Sequence, residues 1–295
     1  MATATATPTR ATTAPTRTGG SSKFTSRKVG GYLITALTWV LVFLFVFPVL
    51  WMIITSFKTE AEAAAFPPSL FFDATFDRYA DVFNRGMGLY MLNSLFVSVL
   101  STIVVMALAI PAAYALSVRP IGKWQDALFF FISTKFMPVA ASIIPVFLLL
   151  RSINMLDNLW ALGALYLGIN LALAVWMMRS FFAEVPRAVV EAAQIDGAGY
   201  NRELWQVSLP IVAPGAAAAA LICFIFAWNE LLFARVLTAT VAQTAPVFLT
   251  SFVTSQGLFL AQLCAAAFVV SLPVLVAGFA AQDKLVQGLS LGAIK

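Results

Sequence analysis

Six stretches of this sequence stay apolar long enough to cross a bilayer as helix: approximately residues 33–56, 91–117, 126–150, 158–180, 211–233 and 260–281. A hydrocarbon core of about 30 Å needs roughly 20 apolar residues at about 1.5 Å rise each. Of the 295 residues, 61% are hydrophobic and 11% charged, whereas a soluble domain carries about 25% charge. With 26 Phe and 7 Trp, no compact globule could cover its surface with polar groups, so the apolar excess must face lipid. The pattern predicts an all-α membrane protein with six transmembrane helices. Lys135, Pro138 and Pro145 interrupt the third span, making it the least regular.

Six crossings put both termini on one side, and the basic residues choose which. If that side is the cytoplasm, it holds Arg10, Arg17, Lys23, Arg27, Lys28, Arg119, Lys123, Arg179, Arg187, Arg202, Lys284 and Lys295. The other side holds Lys58, Arg78, Arg85, Arg151 and Arg235, and Lys135 lies within the membrane, which accounts for all 18. Both termini therefore read as cytoplasmic. The net charge of +5 is an orientation signal rather than a nucleic-acid surface. Residues 1–28 read as a disordered cytoplasmic tail, being too poor in large apolar groups to offset chain entropy, and 29–295 as one transmembrane domain. The first apolar run is too long for a signal-peptide core and lacks a small-residue cleavage site, so it is expected to remain as helix 1.

With no His there is no Ser-His dyad and no imidazole metal ligand. Cys223 and Cys264 both stand in apolar runs and read as small core residues, so no metal site and no catalytic residue are expected. A phosphate loop is also missing: Gly122-Lys123 lacks the preceding glycine and is followed by Trp.

One segment on the cytoplasmic side is more than a connector. In the loop 181–210, Pro186 can open a helix and Gly197 can close it in a left-handed turn. A helix of about ten residues is too short and too charged to span. Val189, Val190 and Ala193 share one side, Ala192 and Ile195 border it, and Glu191 and Asp196 offer acceptors beside it. Small side chains permit close backbone approach, which suits docking in a shallow groove of another protein; the alternative is a helix lying against headgroups.

The stretch Glu191-Ala192-Ala193-x3-Gly197-x9-Val207-x-Leu209-Pro210 resembles the EAA loop of permease subunits of bacterial ATP-binding-cassette importers. Val207 stands where the family usually has Ile. Residues 191–198, together with Ala227-Trp228-Asn229-Glu230 and residues 288–295, resemble carbohydrate importers of the maltose-permease type. Thr55-Ser56-Phe57-Lys58 and Asn93-Ser94 also fit, so the resemblance runs from about residue 33 to the end. The chain departs from it in ending at Lys295 without the frequent final Gly, and in having Ile294 for the usual Val. Ser133-Thr134-Lys135-Phe136-Met137-Pro138 resembles the polyol branch, which imports sorbitol or mannitol.

The resemblance implies a permease in the bacterial cytoplasmic (inner) membrane, forming half of a translocation pathway for a sugar or sugar alcohol. Glu191, Ala192, Ala193, Asp196 and Gly197 would form a coupling helix between helices 4 and 5, seated in a cleft of an ATPase subunit, with Leu209 and Pro210 leading into helix 5. The tail 282–295 would reach toward the ATPase dimer interface. Implied partners are a second permease subunit, a different chain in carbohydrate systems, two ATPase subunits that bind ATP and Mg, and an extracytoplasmic solute-binding protein. The chain itself would hold no cofactor. ATP binding would close the ATPases and rock the helices from inward- to outward-facing, and hydrolysis would reset them.

Within the membrane, Lys135 lies about nine residues into the third span, where a charge facing lipid is expensive. It reads either as a donor to solute hydroxyls in the path, or as a structural lysine paired with a carboxylate such as Glu230 or snorkelling to the inner face. Asn93, Asn170, Asn229 and Glu230 are further pathway candidates. Trp51, Trp124, Trp160 and Trp176 read as interfacial anchors or packing groups. The outer loop 57–90 could fold as a small cap, and it and residues 238–259 are either contacts for the binding protein or solvated connections. Other solutes of the same importer class, an oligosaccharide or a glycerol-phosphate-like compound, remain open. A secondary transporter would need an ion-coupling carboxylate within the spans, where only Glu230 comes near, and a membrane enzyme would need a carboxylate pair or a His.

Overall fold

The apolar runs become helices in the computed structural model, which describes residues 22–119, 122–254 and 257–291. In chain order these are α1 (Ser22–Thr55), α2 (Glu60–Ala63), α3 (Asp77–Asn84), α4 (Met87–Ser117), α5 (Trp124–Ser133), α6 (Val139–Ser152), α7 (Leu159–Phe182), α8 (Arg187–Ile195), α9 (Tyr200–Arg202), α10 (Leu209–Trp228), α11 (Leu232–Leu237), α12 (Ala245–Leu249) and α13 (Leu260–Leu291). Five continuous helices, α1, α4, α7, α10 with the turns before it, and α13, are long and apolar enough to cross a membrane; the bent pair α5–α6, taken as one span, makes six. The expected six-span helical architecture is the one adopted. Its exception among the described residues is a two-residue ladder, β1 (Val253–Thr254) against β2 (Gly257–Leu258), pairing Val253 with Leu258.

Residues 1–51 and 52–295 form two units. In the first, α1 begins at Ser22, so residues 22–28, which composition assigns to a disordered tail, are helical; residues 1–21 lie outside the described residues. Thr38 Oγ1 donates to the Ile34 carbonyl four residues back, at 2.8 Å, which keeps its hydroxyl satisfied in an apolar helix.

In the second unit, α4, α7 and α10 pack on small residues. Ala109, Ala113, Ala174 and Ala219 are fully buried within a cluster that includes Val105, Val175, Met178 and Phe182. Hydrophobicity gives helices no reason to associate in lipid, and close backbone approach through small residues supplies dispersion instead. Gly215 of α10 shows how close: a Cβ built on it would stand 2.5 Å from Cγ of Phe181 on α7. A second cluster joins Val97, Leu162, Tyr166, Phe233 and Leu237, and a third joins Val82, Trp228, Phe248, Phe252 and Ala265. Leu92, Leu95, Phe96 and Ile103 of α4 stay exposed, as lipid-facing residues must.

Two spans depart from their expected outlines. The third is no single helix: its halves, Trp124–Phe136 and Val139–Ser152, meet at 89°. Pro138 disfavours helix at the residue before it, and Met137 is accordingly extended at φ −68, ψ 126, after a 3-10 turn over Thr134–Phe136. The fifth ends at Trp228 and restarts as α11, so Asn229 and Glu230 stand at a break rather than inside a helix.

The loop 57–90 carries α2 and α3, which pack on α13. Glu60 accepts from the backbone N–H of Ala261 (3.0 Å) and Gln262 (2.9 Å), capping the α13 N-terminus with a carboxylate. Lys58 is buried, donating to the Ser69 carbonyl at 2.6 Å with its ammonium 5.0 Å from the Phe72 ring centre. Another carboxylate organises the segment 239–242. Asp157, held at φ 53, accepts from the backbone N–H groups of Ala239, Thr240, Val241 and Ala242 and from the Thr240 hydroxyl. Burial by itself would raise its pKa, but these donors outweigh it and hold the carboxyl well below the usual range.

Candidate functional site

The loop between α7 and α10 carries the signal most specific in the sequence. α8 starts after Pro186, whose φ of −62 suits a helix start, and stops where Gly197 turns left-handed at φ +77. There the Ala198 N–H donates to the Ala193 carbonyl (2.9 Å) and the Gly197 N–H to that of Gln194 (3.0 Å), a Schellman closure. Ile195, 87% exposed, with exposed Val189, Glu191, Ala192, Asp196 and Gly197, forms the free surface of the loop. Val190 instead points back into the core cluster, and Ala193 is buried as well. Of the residues expected to share one side, Val189 is exposed while Val190 and Ala193 are buried, and Val190 gives the short helix an apolar footing on the spans.

Glu203 completes the mount. It opens a π-helical segment, Glu203–Ser208, that runs into α10. Its side chain is wholly buried and ion-paired to Arg119, whose Nη2 lies 2.8 Å away. The Tyr114 hydroxyl of α4 also donates to it, and Gln194 Nε2 of α8 lies at 3.4 Å. One carboxylate thus joins α8, α4 and the approach to α10. Leu209 and Pro210 stand in the first turn of α10, directly after this segment. Sequence reading does not single out Glu203, Tyr114 or Gln194, and takes Arg119 only as an orienting charge. The one visible hint is an acidic residue standing just before the apolar run that becomes α10.

The membrane-embedded candidates do not form one cluster. Lys135 Nζ donates to the carbonyl of Ile169, next to Asn170 at mid-length of α7. Asn170 is buried, and its Oδ1 has no hydrogen-bond partner. The proposed pairing of Lys135 with Glu230 is not formed: the Glu230 carboxylate accepts from the N–H groups of Phe233 (2.8 Å) and Ala234 (3.1 Å), capping α11. Asn93 donates to the carbonyls of Val241 (2.8 Å) and Gln243 (2.9 Å), and Asn229 to that of Ile225 (2.9 Å). Asn93 and Glu230 hold backbone in place, which explains them without a solute. Lys135 also lines a cavity of about 290 Å³ with Ile132, Ala172, Leu173 and Trp176.

Residues 106–290, which contain α8, Glu203 and the whole of α10, match the family described as binding-protein-dependent transport system inner membrane component. The chain belongs to this family. Among relatives, the probable ABC transporter permease protein y4oR of Sinorhizobium fredii is 36% identical over 93% of this chain and 99% of its own. The trehalose transport system permease protein SugB of Mycobacterium tuberculosis is 31% identical over 84% of this chain and 92% of its own. A bacterial ABC transporter that imports the acidic polysaccharide alginate has a chain of the same fold, with TM-score 0.73 and 23% identity over 88% of this chain and 98% of that one.

As an inner membrane component of such a transport system, the protein is a multi-pass permease rather than an enzyme. A short helix with a free outer face joins the core of α4, α7 and α10 through Val190, and the Arg119–Glu203 pair, its carboxylate fully enclosed, ties the joint.

Proposed function

We propose that this permease forms half of the translocation pathway for a sugar or sugar alcohol and takes its driving force through α8 from a separate ATPase subunit. The observation that carries the reading is the free face of α8, with Ile195 87% exposed on a helix whose other side is locked into the bundle. A lever needs both a grip and a stiff mount, and a loop lacking either would dissipate the motion of its partner. The complete importer would add a second permease chain, two ATPases that bind ATP and Mg, and an extracytoplasmic solute-binding protein. Glu191, Ala192, Asp196 and Gly197 would meet the ATPase cleft, with Ala193 positioning them from behind and Leu209 and Pro210 leading the motion into α10. The excess of Lys and Arg on the α8 side supports cytoplasmic termini.

A sugar is supported by the trehalose permease among its relatives and a sugar alcohol by the stretch 133–138. Lys135 beside Trp176 offers an ammonium donor next to an aromatic face, a pairing suited to a polyhydroxylated solute. A photo-cross-linking residue at position 195 in the assembled importer should capture the ATPase subunit. Adducts with lipid alone would overturn the coupling role. Thermal stabilisation of the cognate binding protein across sugars and polyols would identify the solute.

A further inference from the structure

On the side of α8 that carries Arg187, Val190, Glu191 and Gln194 lies a cavity of about 570 Å³. Arg119, Arg179 and Arg187 converge on it, with Trp124 and Phe182 forming apolar wall and Glu191 at its margin. The charges do not cancel. Arg119 is matched by Glu203, but Arg179 and Arg187 form no ion pair among the described residues, and Glu191, the one carboxylate of the lining, leaves one positive charge over. The Arg179 guanidinium lies 4.5 Å from the Trp124 ring centre, and its buried Nε has no hydrogen-bond partner.

From this we propose that the cavity binds the phosphate of an anionic phospholipid headgroup. One uncompensated positive charge matches one phosphodiester, and a fork of guanidinium donors suits its oxygens. The place suits a lipid as well. Arg119 follows the end of α4, Arg179 lies in the last turn of α7 and Trp124 begins α5, so three span ends meet here at the level of a membrane surface. A bound headgroup would fill the space between α8 and the spans, bracing the helix. The inference does not depend on what docks against the outer face of α8.

The test uses the full importer in nanodiscs of phosphatidylcholine with and without phosphatidylglycerol, read by thermal unfolding and by native mass spectrometry of retained lipid. Wild type should retain phosphatidylglycerol and unfold at higher temperature with it, and Arg179→Gln/Arg187→Gln should bind it about tenfold more weakly. If the double variant does not assemble, Arg187→Gln at an exposed position carries the same comparison. An equal phosphatidylglycerol response in wild type and variant would overturn the site. Stabilisation by inorganic phosphate in phosphatidylcholine alone, with no lipid retained, would overturn the lipid as its ligand in favour of a soluble anion.

Discussion

Arg119 and Glu203, 84 residues apart, form an ion pair at 2.8 Å in which the glutamate side chain has no exposed surface and the arginine side chain is about one-third exposed. The pair spans the joint between α4 and the segment joining α8 to α10. Removing one member of such a pair strands the other, and that penalty exceeds the net worth of the pair itself. Glu203→Gln keeps hydrogen bonding but loses the charge, and should lower stability by about 1–2 kcal/mol in detergent. Glu203→Leu leaves the Tyr114 hydroxyl and Arg119 unmatched and should cost about 3 kcal/mol. Thermal unfolding of the two variants checks the order, and equal melting temperatures would remove Glu203 from the joint.

Asp157 yields a pH dependence. Its folded pKa is depressed, so the stability it contributes is fully present above the ordinary value of 3.8 and is lost only as pH falls through the lower folded value. Asp157→Asn turns amide hydrogens toward backbone N–H groups and should cost about 1–2 kcal/mol at neutral pH. The gap from wild type should stay constant between pH 8 and about 5 and close only in strong acid. Melting curves over this range measure it; a gap that closes by pH 6 would contradict the assignment.

Gly215 should tolerate no side chain while Phe181 keeps its place. A methyl at 2.5 Å from the ring forces α7 and α10 apart, so Gly215→Ala should destabilise by about 1–3 kcal/mol. Adding Phe181→Ala should recover part of the loss, with a coupling energy of at least about 0.5 kcal/mol in a double-mutant cycle.

Lys135→Met tests the path. Solute uptake in proteoliposomes should fall about tenfold, as expected for one lost charge-assisted hydrogen bond, with assembly intact. Unchanged uptake kinetics would assign Lys135 to its bond with the Ile169 carbonyl alone.

The spans were legible because each is a local property: a run of apolar residues long enough for the bilayer reads the same whatever surrounds it. The coupling loop was legible for a similar reason, since Pro186, Gly197 and the small residues between them are close in sequence. The break at Pro138 was half legible. Its prolines were visible, but an 89° bend depends on how the two halves pack. Glu203 and Asp157 were not legible, because Tyr114 and Arg119 lie 84 to 89 residues from the first, the donors to the second lie 82 to 85 away, and no local pattern brings them together. Distance of the same kind hid the occupation of Asn93, whose carbonyl partners lie 148 and 150 residues on, whereas Glu230 serves N–H groups only three and four residues away and was hidden by the break in the fifth span that makes it a cap.

The central claim, that α8 passes motion between an ATPase and these spans, is tested most directly at Gly197. Its φ of +77 is costly for a β-branched residue, while a Cβ there meets nothing within 4 Å, so Gly197→Val strains the turn without a clash. Solute uptake and solute-stimulated ATP hydrolysis should be measured together for this variant in proteoliposomes. The prediction is a protein that inserts and assembles but loses both activities in parallel. Wild-type uptake in Gly197→Val would contradict it.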